Sequence, residues 1–302
     1  TSATCVTGLV VSGTGTSFSL FGQSVILALI QLGGLGIMLF GTVLAALAGR
    51  ALSLRGSEVL GQTLGTQRLG ELRRTVQFVV LLTLGLEAAG TAALWPLFDG
   101  ARASDGTLLT GARTLWYSLF HSVSSFCNAG FSLFTENMMA GVAGPGPALR
   151  SRAGVLGVMA PLIVLGGLGF PVLRSTAAYL RDLLRRWWGS GPVSGGARAP
   201  AARPRLTLHA KIVLGTTAVL LVAGMAGLLI LEGLRPGPVQ PGTWPSLPWP
   251  ARLREAAFQS VTARTAGFNT IDMAALGSAG KLWICLLMIV GGSPASTAGG
   301  LK

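Results

Sequence analysis

The chain has 302 residues, of which 50% are hydrophobic and only 11% charged, and its mean hydropathy is +0.62. A soluble domain of this size carries about 25% charged residues, so the composition excludes an ordinary water-soluble fold and makes lipid the main solvent. The 23 Lys and Arg outnumber the 10 Asp and Glu and give a net charge of +13, an excess that suggests nucleic acid only until its position is examined.

The opening TSATCVTGLVV is uncharged and polar-flecked, without the basic start and cleavage site of a signal peptide. Four apolar runs follow: Val25 to Ala48, Val76 to Phe98, Val155 to Leu173 and Ile212 to Leu231. Each reaches or approaches the ~20 residues that a helix needs to cross a ~30 Å hydrocarbon core. Between the second and third, Thr114 to Phe126 reads as a short pore helix that descends only partway. A last run, Leu282 to Val290, is too short to cross alone. The expected architecture is an all-α polytopic membrane protein of repeated helix, re-entrant pore loop and helix units.

Thirteen of the 23 basic residues lie in two connections, Gly49 to Thr75 and Arg174 to Lys211, while the alternate connections hold seven. That is the positive-inside bias, so these two connections are assigned to the cytoplasm. The charge therefore has a topological cause, and with no aromatic-interleaved basic face a nucleic-acid partner is not expected. Within the second connection, Leu183 to Gly191 (LLRRWWGSG) is expected at the lipid interface, with Trp187 and Trp188 at headgroup depth, and Ser190 to Pro204 reads as a mobile stretch. Cys5, Cys127 and Cys285 have no metal-ligand spacing, and His121 and His209 read as an interfacial pore-helix residue and a loop-end residue.

Three short phrases stand out against this apolar background. CVTGL ends on Thr7-Gly8-Leu9, FCNAGF on Ala129-Gly130-Phe131 and RTAGF on Ala266-Gly267-Phe268. Their glycines are 122 and 137 residues apart, and aligned on them Cys5 coincides with Cys127. Two long apolar segments joined by a basic connection separate each pair, so the chain divides into units over residues 1–75, 76–211 and 212–302. One such glycine in a membrane helix would be read as a packing residue. Three in corresponding places favour unwound backbone around a water-filled path, where glycine frees the chain and carbonyl oxygens replace the hydration shell of a monovalent cation.

With these phrases stand QLGGLGIM (Gln31 to Met38), LIVLGGLGFPV (Leu162 to Val172) and GGSPASTAGGLK (Gly291 to Lys302). On these residues the whole chain resembles the membrane subunit of the Trk/Ktr/HKT potassium-transporter superfamily, closer to its Ktr branch. The resemblance implies repeated pore loops around a single pore, with filter carbonyls from Val6, Thr7, Gly8, Asn128, Ala129, Gly130, Thr265, Ala266 and Gly267. It implies potassium rather than sodium, because relatives that admit sodium often carry serine in place of Gly8. It also implies a homodimer in the lipid bilayer, a cytosolic nucleotide-binding ring on the basic connections, and possible sodium coupling. Against that plan the first repeat lacks its outer helix and the fourth repeat with its filter is missing, so the chain is expected to be a fragment.

The closing stretch is poor for helix continuation, and it lacks the Gly-Lys-Ser/Thr ending of a phosphate-binding loop. By resemblance it is an intramembrane gating loop formed by Gly292, Ser293, Pro294, Ala295, Ser296, Thr297, Ala298, Gly299 and Gly300. Glu87, inside an apolar run, stands evenly between a functional charge and a structural partner of a buried polar group or of Arg264. Arg264 is expected behind the third phrase, away from the ion path. Asp272 and Glu136 stand between enriching cations at the outer mouth and simple cap or loop roles. A membrane enzyme is disfavoured because no carboxylate or second histidine stands near His121 in sequence; a secondary transporter of another solute is the alternative reading.

Overall fold

The computed structural model describes residues 1–51, 69–135, 137–139, 154–188, 206–234 and 244–301. Its helices are α1 (Leu20–Ala51), α2 (Leu69–Phe98), α3 (Ala112–Phe126), α4 (Ala160–Leu168, entered through a π-helical turn at Val155–Met159), α5 (Phe170–Trp187), α6 (Leu208–Gly233), α7 (Trp249–Thr262) and α8 (Ser278–Ile289). Among the described residues the only bridge between extended segments is Arg102 with Leu108.

Local chemistry sets the helix ends. Thr207 caps α6 by accepting the Ala210 N–H on its hydroxyl at 3.2 Å, which satisfies one of the free donors of the first turn. Pro250 stands in the first turn of α7, where its missing N–H costs nothing. Pro96 lies two residues before the end of α2, and Gly100, at φ 71°, turns the chain away.

Leu20–Leu39, Arg74–Phe98 and Leu208–Gly233 are long and apolar enough to cross a membrane, in agreement with three of the four expected spans. The fourth is a bent pair of helices, a broken span or a re-entrant loop. Val155 to Leu173 is not one straight helix, because the chain bends by 109° between Gly157–Leu168 and Phe170–Arg185. Gly169 at the bend has φ 77° and ψ 153°, a conformation essentially confined to glycine, and Pro171 restarts a helix at once. Apolar content alone hides this break.

The flanks are apolar and α3 buries polar groups beside the apolar core, an inversion of the soluble pattern in this helix. Leu81 and Val219 are 71% and 67% exposed on the flanks of α2 and α6, whereas Thr114, Ser118, His121, Ser122, Ser124 and Ser125 of α3 are all buried. Such an inversion suits a lipid-facing exterior whose inner polar groups bond to one another.

The internal repeat reappears in the packing. In the second unit Ser122 Oγ donates to the Glu87 carbonyl at 2.7 Å, and Gly90, three residues on, leaves room for that hydroxyl. In the third unit Ser260 Oγ donates to the Leu221 carbonyl at 2.8 Å, and Gly224, again three residues on, leaves room for it. α3 and α7 are thus each held against the long helix before them by one hydroxyl and one small residue.

Candidate functional site

The three phrases fold alike. The residue two before each glycine has positive φ (Val6 52°, Asn128 55°, Thr265 67°), and so does the glycine itself (Gly8 74°, Gly130 71°, Gly267 80°). Left-handed backbone at a non-glycine residue is uncommon and strained, so its recurrence at three corresponding positions marks a specified conformation. Hydrogen bonds repeat as well. Cys5, Val6 and Thr7 donate their N–H groups to Thr1, Ala3 and Ser2, and Cys127, Asn128 and Ala129 donate to Val123, Ser125 and Ser124, the same offsets in both. The third phrase closes more tightly, with Ala266 donating to Thr262.

These phrases also meet in space. A Cβ on Gly8 would lie 2.5 Å from the Ala129 carbonyl oxygen, and one on Gly130 would lie 2.8 Å from that of Ala266 and 2.9 Å from Gly267 Cα. First neighbours second, and second neighbours third, in chain order. Ala3, Val6, Cys127, Ala129, Phe131, Ala266 and Phe268 join a single buried apolar cluster around them.

Hydroxyls of α3 and α7 pin the backbone just beyond two of the glycines. Ser124 Oγ donates to the Phe131 carbonyl at 2.8 Å, and the Phe268 N–H donates to Thr262 Oγ1 at 2.8 Å. His121 holds the next residues of the second unit: its Nδ1 donates to the Tyr117 carbonyl at 2.8 Å, while Nε2 accepts from Ser132 Oγ at 3.0 Å and from the Leu133 N–H at 3.4 Å. Only the neutral ring with its proton on Nδ1 makes all three bonds. Phe98, Tyr117, Phe120 and Phe134 surround this ring, which is fully buried, so the interfacial position expected for His121 is corrected.

The stretch Gly291 to Gly300 follows α8 as irregular chain and folds under these phrases. Asn128 Nδ2 donates to Thr297 Oγ1 at 3.0 Å, Thr297 Oγ1 donates to the Phe126 carbonyl at 3.1 Å, and the Gly299 N–H donates to Thr265 Oγ1 at 2.8 Å. Toward the α4–α5 break, the N–H groups of Thr297 and Ser293 donate to the carbonyls of Gly166 and Gly167, and Ser293 Oγ donates to that of Leu168 at 2.6 Å. The Phe170 N–H in turn reaches the Ala295 carbonyl at 3.3 Å. A helix end leaves its last carbonyls without partners, and here the irregular stretch supplies them. Sequence reading missed this docking; the run Gly166-Gly167-Leu168-Gly169-Phe170-Pro171 was its signal.

The remaining candidates separate. Glu87 is 3% exposed and accepts from Cys127 Sγ at 3.8 Å, so of its two expected partners it takes the buried polar group and not Arg264. Arg264 donates through Nη2 to the Gly291 carbonyl at 3.2 Å. Asp272 is exposed and accepts the Ala274 N–H at 2.8 Å, which makes it a turn residue. Glu136, the stretch Ser190 to Pro204 and parts of both basic connections lie outside the described residues. No group of His, Cys, Asp and Glu among the described residues could hold a metal ion.

Residues 1–302 match the family described as TrkH, cation transport protein. The chain is 33% identical over 304 residues to the potassium/sodium uptake protein NtpJ of Enterococcus hirae, and 35% identical over 305 residues to the Ktr system potassium uptake protein B of Vibrio alginolyticus. Both alignments cover 100% of this chain but 58% of the relative, so the chain spans less than two thirds of the curated relatives it matches. A similar fold occurs in the crystal structure of the potassium transporter TrkH from Vibrio parahaemolyticus, at a TM-score of 0.59 and 18% identity, covering 99% of this chain and 50% of that one.

Proposed function

The chain belongs to the TrkH family of cation transport proteins, and from that premise we propose that it contributes to a potassium-uptake pathway in the cell membrane. The family is one of multi-pass membrane transporters and not of enzymes. The observation that carries the reading is the run of contacts from Gly8 to Ala129 and from Gly130 to Gly267, made by backbones with the same alternation of positive φ.

The proposed mechanism is dehydration at a carbonyl-lined filter. Alternating backbone hand can turn successive carbonyls to one side, and the carbonyls of Val6, Thr7, Gly8, Asn128, Ala129, Gly130, Thr265, Ala266 and Gly267 are the proposed ligands. Carbonyls on backbone that Ser124, Thr262 and His121 anchor just beyond the second and third glycines, at Phe131, Phe268 and Leu133, would replace potassium's water shell with little reorganisation. The membrane potential supplies about 2.3 kcal/mol per charge per 100 mV, so accumulation needs no hydrolysis within this chain. Residues Gly292 to Gly300 are proposed as the gate. Their position supports this, since the same short stretch bonds to two phrases and fills a helix break.

Sodium coupling is a proposal drawn from the relative named a potassium/sodium uptake protein. A homodimer and a cytosolic nucleotide-binding ring are proposals from the likeness to a Ktr system protein, and the lipid bilayer is the partner that the exposed apolar flanks require. The deciding experiment is rubidium uptake by the complete protein in cells without their own potassium uptake, with potassium, sodium and organic solutes as competitors. Uptake blocked by potassium far better than by sodium, and weakened by Gly130→Ser, is expected. Uptake indifferent to cations but competed by an organic solute would sink the filter reading.

A further inference from the structure

Two of the three phrases are tied to the stretch beneath them, and the ties are alike. Asn128 and Thr265 occupy the same position, two before the glycine, and each uses its side chain to bond the stretch: Asn128 to Thr297 Oγ1 at 3.0 Å, Thr265 to the Gly299 N–H at 2.8 Å. In the first phrase that position is Val6, whose side chain can make no such bond. Thr297 is a hub. Its hydroxyl has one proton, which goes to the Phe126 carbonyl, so it must accept from Asn128, and that fixes the orientation of the Asn128 amide. Both Asn128 and Thr297 are nearly excluded from solvent, at 1% and 3% exposure. Asn128 and Thr265 also hold strained left-handed backbone, which persists only where its surroundings over-determine it.

We propose that the Gly291 to Gly300 stretch is a structural support of the second and third phrases as well as a barrier, with Thr297 the positioning residue that holds Asn128 and Phe126 in register. Displacing the stretch breaks the Asn128–Thr297, Thr297–Phe126 and Gly299–Thr265 bonds together. A selective conducting state therefore keeps these bonds, and their loss relaxes two of the walls that recognise the ion. This inference rests on the filter reading above.

Its test separates selectivity from flux. In the complete protein, rubidium uptake is measured together with the concentrations of potassium and sodium that halve it, for the parent, Thr297→Val, Thr297→Ser and Thr265→Val. Thr297→Val keeps the shape but removes the hydroxyl, and it is expected to narrow the potassium-to-sodium preference by about tenfold, the loss of roughly one well-made hydrogen bond. Thr297→Ser, which keeps the hydroxyl, restores the preference. Thr265→Val removes the acceptor for Gly299 and narrows it in the same direction, and it carries the test if Thr297→Val fails to reach the membrane. A selective parent whose Thr297→Val and Thr265→Val variants change only in flux would overturn this inference and leave the filter reading standing. A parent without cation preference would overturn both.

Discussion

Gly267 lies against Gly130: a Cβ on Gly267 would sit 3.0 Å from Gly130 Cα, tighter than most such contacts in folded proteins, so one backbone would have to give way. Both residues are left-handed, so any substitution meets strain and collision together. Gly130→Ala and Gly267→Ala are each expected to cost at least about 1–2 kcal/mol in this conformation, a tenfold or larger loss of selective rubidium uptake. Gly100, equally left-handed but with open space around it, serves as the control: Gly100→Ala shares the strain and should leave cation preference unchanged.

Deletion of Ser293 to Thr297 is expected to raise flux and weaken its control. The same deletion uncaps α4, because it removes the partners of the Gly166, Gly167 and Leu168 carbonyls. Ser293→Ala is the milder variant. It removes one bond of 2.6 Å, worth about 0.5–1.5 kcal/mol, so a several-fold rise in uptake is the expected reading. Unchanged flux in both variants would count against a gating role.

Glu87 occupies a fully packed position between α2 and α3, with Cys127 on its carboxyl and the hydroxyls of Ser122 and Thr91 on its carbonyl. Glu87→Gln preserves shape and polarity and should be tolerated. Glu87→Ala leaves a cavity behind Cys127, and a loss of about 2–4 kcal/mol is expected, read as a lower melting temperature of the purified protein. Equal melting temperatures for the two variants would refute the packing argument.

The connection between α2 and α3 carries one group with a resolved acid shift. Hydrogen bonds from the Thr107 hydroxyl and N–H, then from Arg113, lower the Asp105 carboxyl to about 2. Its folded value is depressed, so its contribution is complete above the ordinary carboxylate range and is lost as pH falls through about 2. Asp105→Asn should therefore leave the pH profile of transport between pH 5 and 8 unchanged. A variant whose profile moves in that window would show that Asp105 is coupled to the pathway.

Trp187 and Trp188, at the end of α5, are 82% and 78% exposed, and Leu180, Leu183 and Leu184 present an uncovered apolar stripe beside Arg181 and Arg185. This face is expected to rest in the headgroup region. Brominated lipid should quench the fluorescence of Trp187 and Trp188 in bilayers, and Arg181→Gln with Arg185→Gln should weaken the preference for anionic lipid. Quenching unaffected by replacing both tryptophans with phenylalanine would exclude this placement.

Composition and periodicity were enough to read a membrane protein, three crossing helices and three equivalent glycine phrases, because lipid demands long apolar runs and unwound backbone demands glycine. Those are local requirements, met residue by residue along the chain. The break at Gly169, the aromatic cage of His121, the choice of Cys127 over Arg264 by Glu87, and the bonds joining Asn128 and Thr265 to the stretch beneath them were decided only in three dimensions. The last two depend on a polar group finding a partner far away in sequence, 40 residues for Glu87 and Cys127 and 169 for Asn128 and Thr297, and hydrophobic pattern carries no information about which buried donors and acceptors will meet.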